Sequence, residues 1–98
     1  MLYTIHFHDN PNADPDLRPR FMAQHLAFLT DNKKAIRAAG PLKEDDGQVK
    51  GGLWLVDVAT VEQAWDLVKT DPFWTTGLRD KVEIKQWVQV FAEGQALI

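Results

Sequence analysis

The feature that most restricts the fold is a change of hydrophobic period that occurs twice along the chain. Residues 2–8 alternate, with Tyr3, Ile5 and Phe7 on one side and Leu2, Thr4, His6 and His8 on the other. A period of two marks a strand. The run Asp9-Asn10-Pro11-Asn12 stops it as a loop. The period then becomes helical: Leu17, Phe21, Met22, Leu26, Phe28, Leu29 and Ile36 fall within one half of a helical wheel. This spacing predicts a helix from about Asp16 to Ala39. Pro19 is tolerated only in a first turn, which sets the start near Asp16–Arg18, and Gly40-Pro41 offers a C-cap and a breaker at the end.

The second half repeats the change. Leu42–Lys50 is polar and acidic around Glu44-Asp45-Asp46-Gly47 and reads as an exposed turn that two strands could flank. Leu53–Val58 is almost continuously apolar, which predicts a central strand covered on both faces. Thr60-Val61-Glu62-Gln63 fits a capping box, and Val61, Ala64, Trp65 and Val68 follow at the spacing of a short amphipathic helix. Asp71-Pro72 opens a further turn that closes near Gly77, and Val82–Phe91 alternates as a last strand.

The order β-α-β(β)-α-β defines an α+β chain, a ferredoxin-like βαββαβ sandwich with its helices on one face of an antiparallel sheet. The 98 residues fit one domain, 1–98. The other sheet face needs cover, and a second copy of the chain, making a homodimer, is the economical cover. Four tryptophans and five phenylalanines exceed what so small a core readily hides, which points the same way.

Charge and composition exclude several classes. The net charge is −3 and no basic run exceeds Lys33-Lys34, so the footprint of a nucleic-acid binder is missing. No apolar stretch approaches the roughly 20 residues that span a bilayer, so no membrane partner is expected. The N-terminal residues lack the pattern of a secretory signal, and the absence of cysteine removes disulfides, thiolate chemistry and Cys-type zinc sites. A cytoplasmic location is the resulting expectation.

His25 is the residue with the most chemical content. It stands near the centre of the apolar arc, with Phe21 four residues before it and Phe28 and Leu29 after it. An imidazole there points at the sheet and must find a hydrogen-bond partner or bear the cost of burial. It is either a core histidine bonded to backbone, or a general acid/base or ligand contact tuned by a carboxylate. Asp71, before a proline, has the form of an N-cap. A capping carboxylate can also orient an imidazole and leave its other nitrogen as the free base.

His6 and His8 share a strand face and can both reach a metal, yet a site needs another ligand, which only His25 or a carboxylate could supply. Polar strand residues more commonly face a cleft or an interface, so no metal centre is expected. His6 then lines a cleft and His8 is solvated. Phe73 and Trp74 follow Asp71 closely enough to line a cleft there, and Gly51-Gly52 reads as turn or bulge. No phosphate loop, dinucleotide fingerprint or nucleophile elbow occurs.

These residues resemble the YCII-related (YciI-like) family over nearly the whole chain. The shared pieces are an initial Met-Leu-Tyr strand, "HLAFL" at His25–Leu29, "AAGPL" at Ala38–Leu42, "GGLWLVDV" at Gly51–Val58, "VEQAWDLVKTDPFWTTGL" at Val61–Leu78 and "VEIKQWVQVF" at Val82–Phe91. The resemblance implies a ferredoxin-like dimeric α+β barrel with a cleft holding a His–Asp pair, here His25 and Asp71; His6, Trp74 and Gly52 are the candidate substrate-binding positions beside it. It extends to a dehydrochlorinase of chlorinated hydroxyquinol breakdown and, in superfamily fold, to muconolactone isomerase. A lyase or isomerase acting on a small organic, cyclic molecule without metal or organic cofactor is therefore implied. The alternative is a non-catalytic dimeric domain that binds a small ligand or serves as an accessory module. Some members carry an arginine where this chain has Met22, and a Gly-Ser where it has Gly51-Gly52, so a polar or anion-binding contact is expected to be missing.

Overall fold

The computed structural model describes residues 1–98. The chain runs β1 (Leu2–Asp9), α1 (Leu17–Asp31), β2 (Ile36–Lys43), β3 (Val49–Asp57), α2 (Val61–Thr70), α3 (Pro72–Thr75) and β4 (Arg79–Gln86), then a small hairpin of β5 (Phe91–Ala92) and β6 (Gln95–Ala96). The first four strands form one antiparallel sheet in the order β2-β3-β1-β4. This is the ferredoxin-like α+β sandwich that the two changes of period predict.

Register explains which face is buried. Tyr3 lies opposite Val56, Ile5 opposite Trp54 and Phe7 opposite Gly52, so the odd-numbered side of β1 and the even-numbered side of β3 share one face. That face packs against Ala64 and Val68 of α2 and against Phe28 and Leu29 of α1. Phe7 and Trp54 meet edge to face with centroids 4.7 Å apart, a favoured aromatic geometry. The Thr60 cap of α2 is present: Gln63 N–H donates to Thr60 Oγ1 at 3.3 Å, while Gln63 Oε1 accepts from the N–H of Ala59, one residue before the cap, at 2.8 Å.

The structure corrects three expectations. Helix α1 ends at Asp31, not Ala39, and Asn32 closes it by donating its side-chain amide to the Phe28 carbonyl at 2.9 Å. The physical reason is visible in Thr30-Asp31-Asn32-Lys33-Lys34, five polar residues in a row that cannot continue an apolar stripe. Ile36 accordingly starts a strand, and Gly40-Pro41, expected as a helix stop, lies inside β2. Proline is acceptable there because β2 is an edge strand.

The second correction concerns β3, whose Leu53 is 41% exposed. The strand is central, but one chain covers only one of its faces. The third concerns the last strand, which ends at Gln86, so that Val88, Val90 and Phe91 leave the sheet and stand exposed. The following hairpin turns at Glu93 and Gly94, with φ of 52° and 77°, the positive values that a two-residue type I′ turn requires.

Candidate active site

His25 is the one buried residue of α1. Its Nδ1 lies 2.7 Å from Asp71 Oδ1, across 46 residues of sequence. Asp71 is fully buried. It caps α3 through a 3.3 Å hydrogen bond from the Phe73 N–H to the same Oδ1. Its other oxygen, Oδ2, accepts from Arg79 Nη1 at 2.9 Å. The Phe73 N–H and Arg79 Nη1 both donate to this carboxylate, and in the matching tautomer His25 presents Nδ1–H to it. Nε2 is left without a protein partner and is not sealed from the adjoining cavity. The imidazole ring also stacks on Phe73, centroids 4.1 Å apart and planes within 15°. One hydrogen bond and one aromatic stack therefore fix its orientation.

Arg79 is the residue that reading the sequence missed. It heads β4 opposite Asp9 in the register, on the helix-facing side of the sheet. Its guanidinium is buried and sits 4.1 Å from the Phe7 ring centroid and 5.1 Å from that of Phe73. Burial lowers its pKa from the ordinary arginine range to about 10, with the Asp71 carboxylate acting in the opposite sense. It remains a cation at neutral pH and balances the charge of Asp71. The only hint in the sequence is an arginine directly after Gly77-Leu78, where a turn hands the chain to a strand.

The cavity beside His25 has a volume of about 180 Å³. Met22, Leu26, Trp54 and Phe73 give it apolar walls, and Arg18, His25 and Arg79 are its ionisable members. An apolar cavity of about 150 Å³ accommodates benzene, so this one matches a single six-membered ring with small substituents. Met22 leaves Arg18 as the basic residue of α1 at the cavity. Arg18 stands four residues earlier, one helical turn away on the same face, and lines the cavity while pairing with Asp9.

The other expected site residues are distributed as follows. Gly52 lies behind the cavity, where a Cβ would come within 3.3 Å of Arg79 Nη2; its lack of a side chain makes room for the guanidinium. Trp74 is half-buried against the core and is not a wall of the cavity. His6 projects from the opposite face of the sheet, because it alternates with Ile5 and Phe7, and so cannot reach His25 within one chain. His8 is not simply solvated: its Nε2 lies 2.9 Å from Glu83 Oε1.

A ferredoxin-like sandwich whose buried, carboxylate-bound imidazole faces a ring-sized cavity is the class that fold and site define together. The YCII-related domain model matches residues 1–88, and the chain belongs to that family. Among solved structures it is similar to a 5-chloro-2-hydroxyhydroquinone dehydrochlorinase from Burkholderia phenoliruptrix AC1100, determined in complex with 2,5-dihydroxybenzoquinone. The two share 27% identity with a TM-score of 0.75, covering 90% of this chain and 94% of the other. No curated protein sequence matches. No helix is long and apolar enough to cross a membrane.

Proposed function

We propose that this protein is a lyase, or a mechanistically related isomerase, acting on a small hydroxylated ring. His25 is its acid/base and Asp71 the residue that orients it. The observation that carries this reading is the His25 Nδ1–Asp71 Oδ1 hydrogen bond of 2.7 Å beside a cavity of ring size. An imidazole is the side chain best suited both to take and to give a proton near neutrality. On a chlorinated hydroxyquinol the chemistry balances without a redox partner. One hydroxyl proton moves to the chlorine-bearing ring carbon. A second hydroxyl proton is removed as chloride leaves with the carbon–chlorine electron pair, and the ring becomes a quinone. The net loss is HCl. Arg79 and Arg18 favour the anionic form of such a ring, and Trp54 and Phe73 favour its flat faces.

The direct test is chloride release from 5-chloro-2-hydroxyhydroquinone, followed with the absorbance of the quinone product. Release well above the buffer rate is expected. A hydroxylated ring that raises the melting temperature while no chlorinated analogue in a panel loses chloride would instead support the alternative, a non-catalytic binding module.

The same reading includes a homodimer. The open sheet face has an apolar half, with Leu2, Leu53 and Leu55, and a second copy would cover it. Light scattering should give twice the chain mass, and Leu53→Glu should shift it to a single chain. A monomer in the unaltered protein at high concentration would exclude the dimer.

A further inference from the structure

We propose that His6, His8 and Glu83 form a second site, on the sheet face away from His25, that binds a divalent transition-metal ion of zinc's character. His6 and His8 are two residues apart on β1 and share a face, and Glu83 of β4 lies directly opposite His6 in the register. One ligand atom from each lies within 4.8 Å of the others. The two imidazole rings approach to 4.3 Å between centroids.

A tetrahedral ion with bonds of about 2.0–2.1 Å needs its ligand atoms about 3.4 Å apart. The His8–Glu83 pair at 2.9 Å is already closer than that, so any contraction needed is in the separations from His6. Rotation of these partly exposed side chains supplies it. Two imidazoles and one carboxylate form the donor set of a zinc site with three protein ligands and a water in the fourth position. The absence of thiolate leaves the site open to cobalt, nickel and copper as well.

The charge around the site is mixed, with Glu83 and Glu44 anionic and Lys43, Lys50, Lys81 and Lys85 cationic. The hydrogen bond from His8 holds the Glu83 carboxyl below the usual carboxylate range, and Lys81 and Lys85 act in the same direction. Glu83 is therefore an anionic ligand at neutral pH. His8 Nε2 lies 2.9 Å from that carboxylate, so a metal bound between them takes the place of this hydrogen bond. In the single chain His6 and His8 also wall a cavity of about 290 Å³ shared with Lys43, Glu44 and Lys50, on the sheet face that the proposed homodimer would cover. A simple cross-strand ion pair needs His8 and Glu83 alone. His6, turned onto the same point, is what marks a site.

The experiment uses the full chain without a histidine tag, stripped with chelator and titrated with zinc chloride by calorimetry and thermal melting. One ion per chain is expected, with a rise in melting temperature of about 10 °C at a hundredfold excess over Kd. His6→Ala and His8→Ala should each weaken binding at least tenfold, whereas His25→Gln should leave it unchanged. Glu83→Gln, which keeps the shape of the side chain, should weaken binding too and covers the case of a histidine variant that fails to fold. Cobalt(II) should give the intense visible bands of a four-coordinate ion. Undiminished binding in the His6, His8 and Glu83 variants, half an ion per chain with zinc-dependent dimerisation, or no heat and no thermal shift would each overturn the proposal.

Discussion

Asp71→Ala should remove about 3–5 kcal/mol of unfolding free energy. Domains of this size are stable by only about 5–15 kcal/mol, so the loss is a large fraction of the whole. The cost arises because one fully buried carboxylate answers three donors: His25 Nδ1, the Phe73 N–H and Arg79 Nη1. Its removal leaves the buried Arg79 guanidinium only the influence of Asp9, itself paired with Arg18, and that group already has a buried Nε with no partner. The loss of the α3 cap adds roughly 1 kcal/mol. Urea unfolding followed by tryptophan fluorescence measures the change. Asp71→Ala/Arg79→Met should recover part of it, because the stranded charge leaves with its partner. A loss below about 1 kcal/mol would show that the Arg79 charge is relieved in some other way.

His25→Gln should lower turnover of a hydroxylated ring substrate by about 10²–10⁴, the usual contribution of a general acid/base. The amide of glutamine can still donate a hydrogen bond towards Asp71, so the fold should survive with a stability change of about 1–2 kcal/mol. It cannot pass a proton. The informative comparison is between kcat and the melting temperature of the same variant. A parallel fall in stability and rate, with residual activity tracking the folded fraction, would identify His25 as a structural histidine only.

The first strand and the second helix were legible because each rests on local periodicity: Tyr3, Ile5 and Phe7 alternate, and Ala64 and Val68 recur one turn apart. The end of α1 was not, because Gly40-Pro41 is a stronger local stop signal than Asn32, and only pairing with β3 reveals that it belongs to a strand. His25 and Asp71 were each identifiable, one by its place on an apolar arc and the other by resemblance; their contact spans 46 residues and depends on how α1 and α3 meet. Arg79 left almost no trace in the sequence. An arginine at the start of a strand is ordinarily exposed, and its burial follows from the opening left by Gly52 and from the aromatic rings of Phe7 and Phe73.

Pro41 also limits how two molecules can meet. As a member of an edge strand it deprives that border of a backbone donor, and register shifts at Ile36/Ala38 and Leu42/Lys43 bend the border at both ends. An incoming strand would find neither a complete ladder nor a straight one, so lateral growth into a longer ribbon is blocked there. The proposed homodimer therefore cannot form through a continuous ladder at this edge, which leaves its contact to the sheet face.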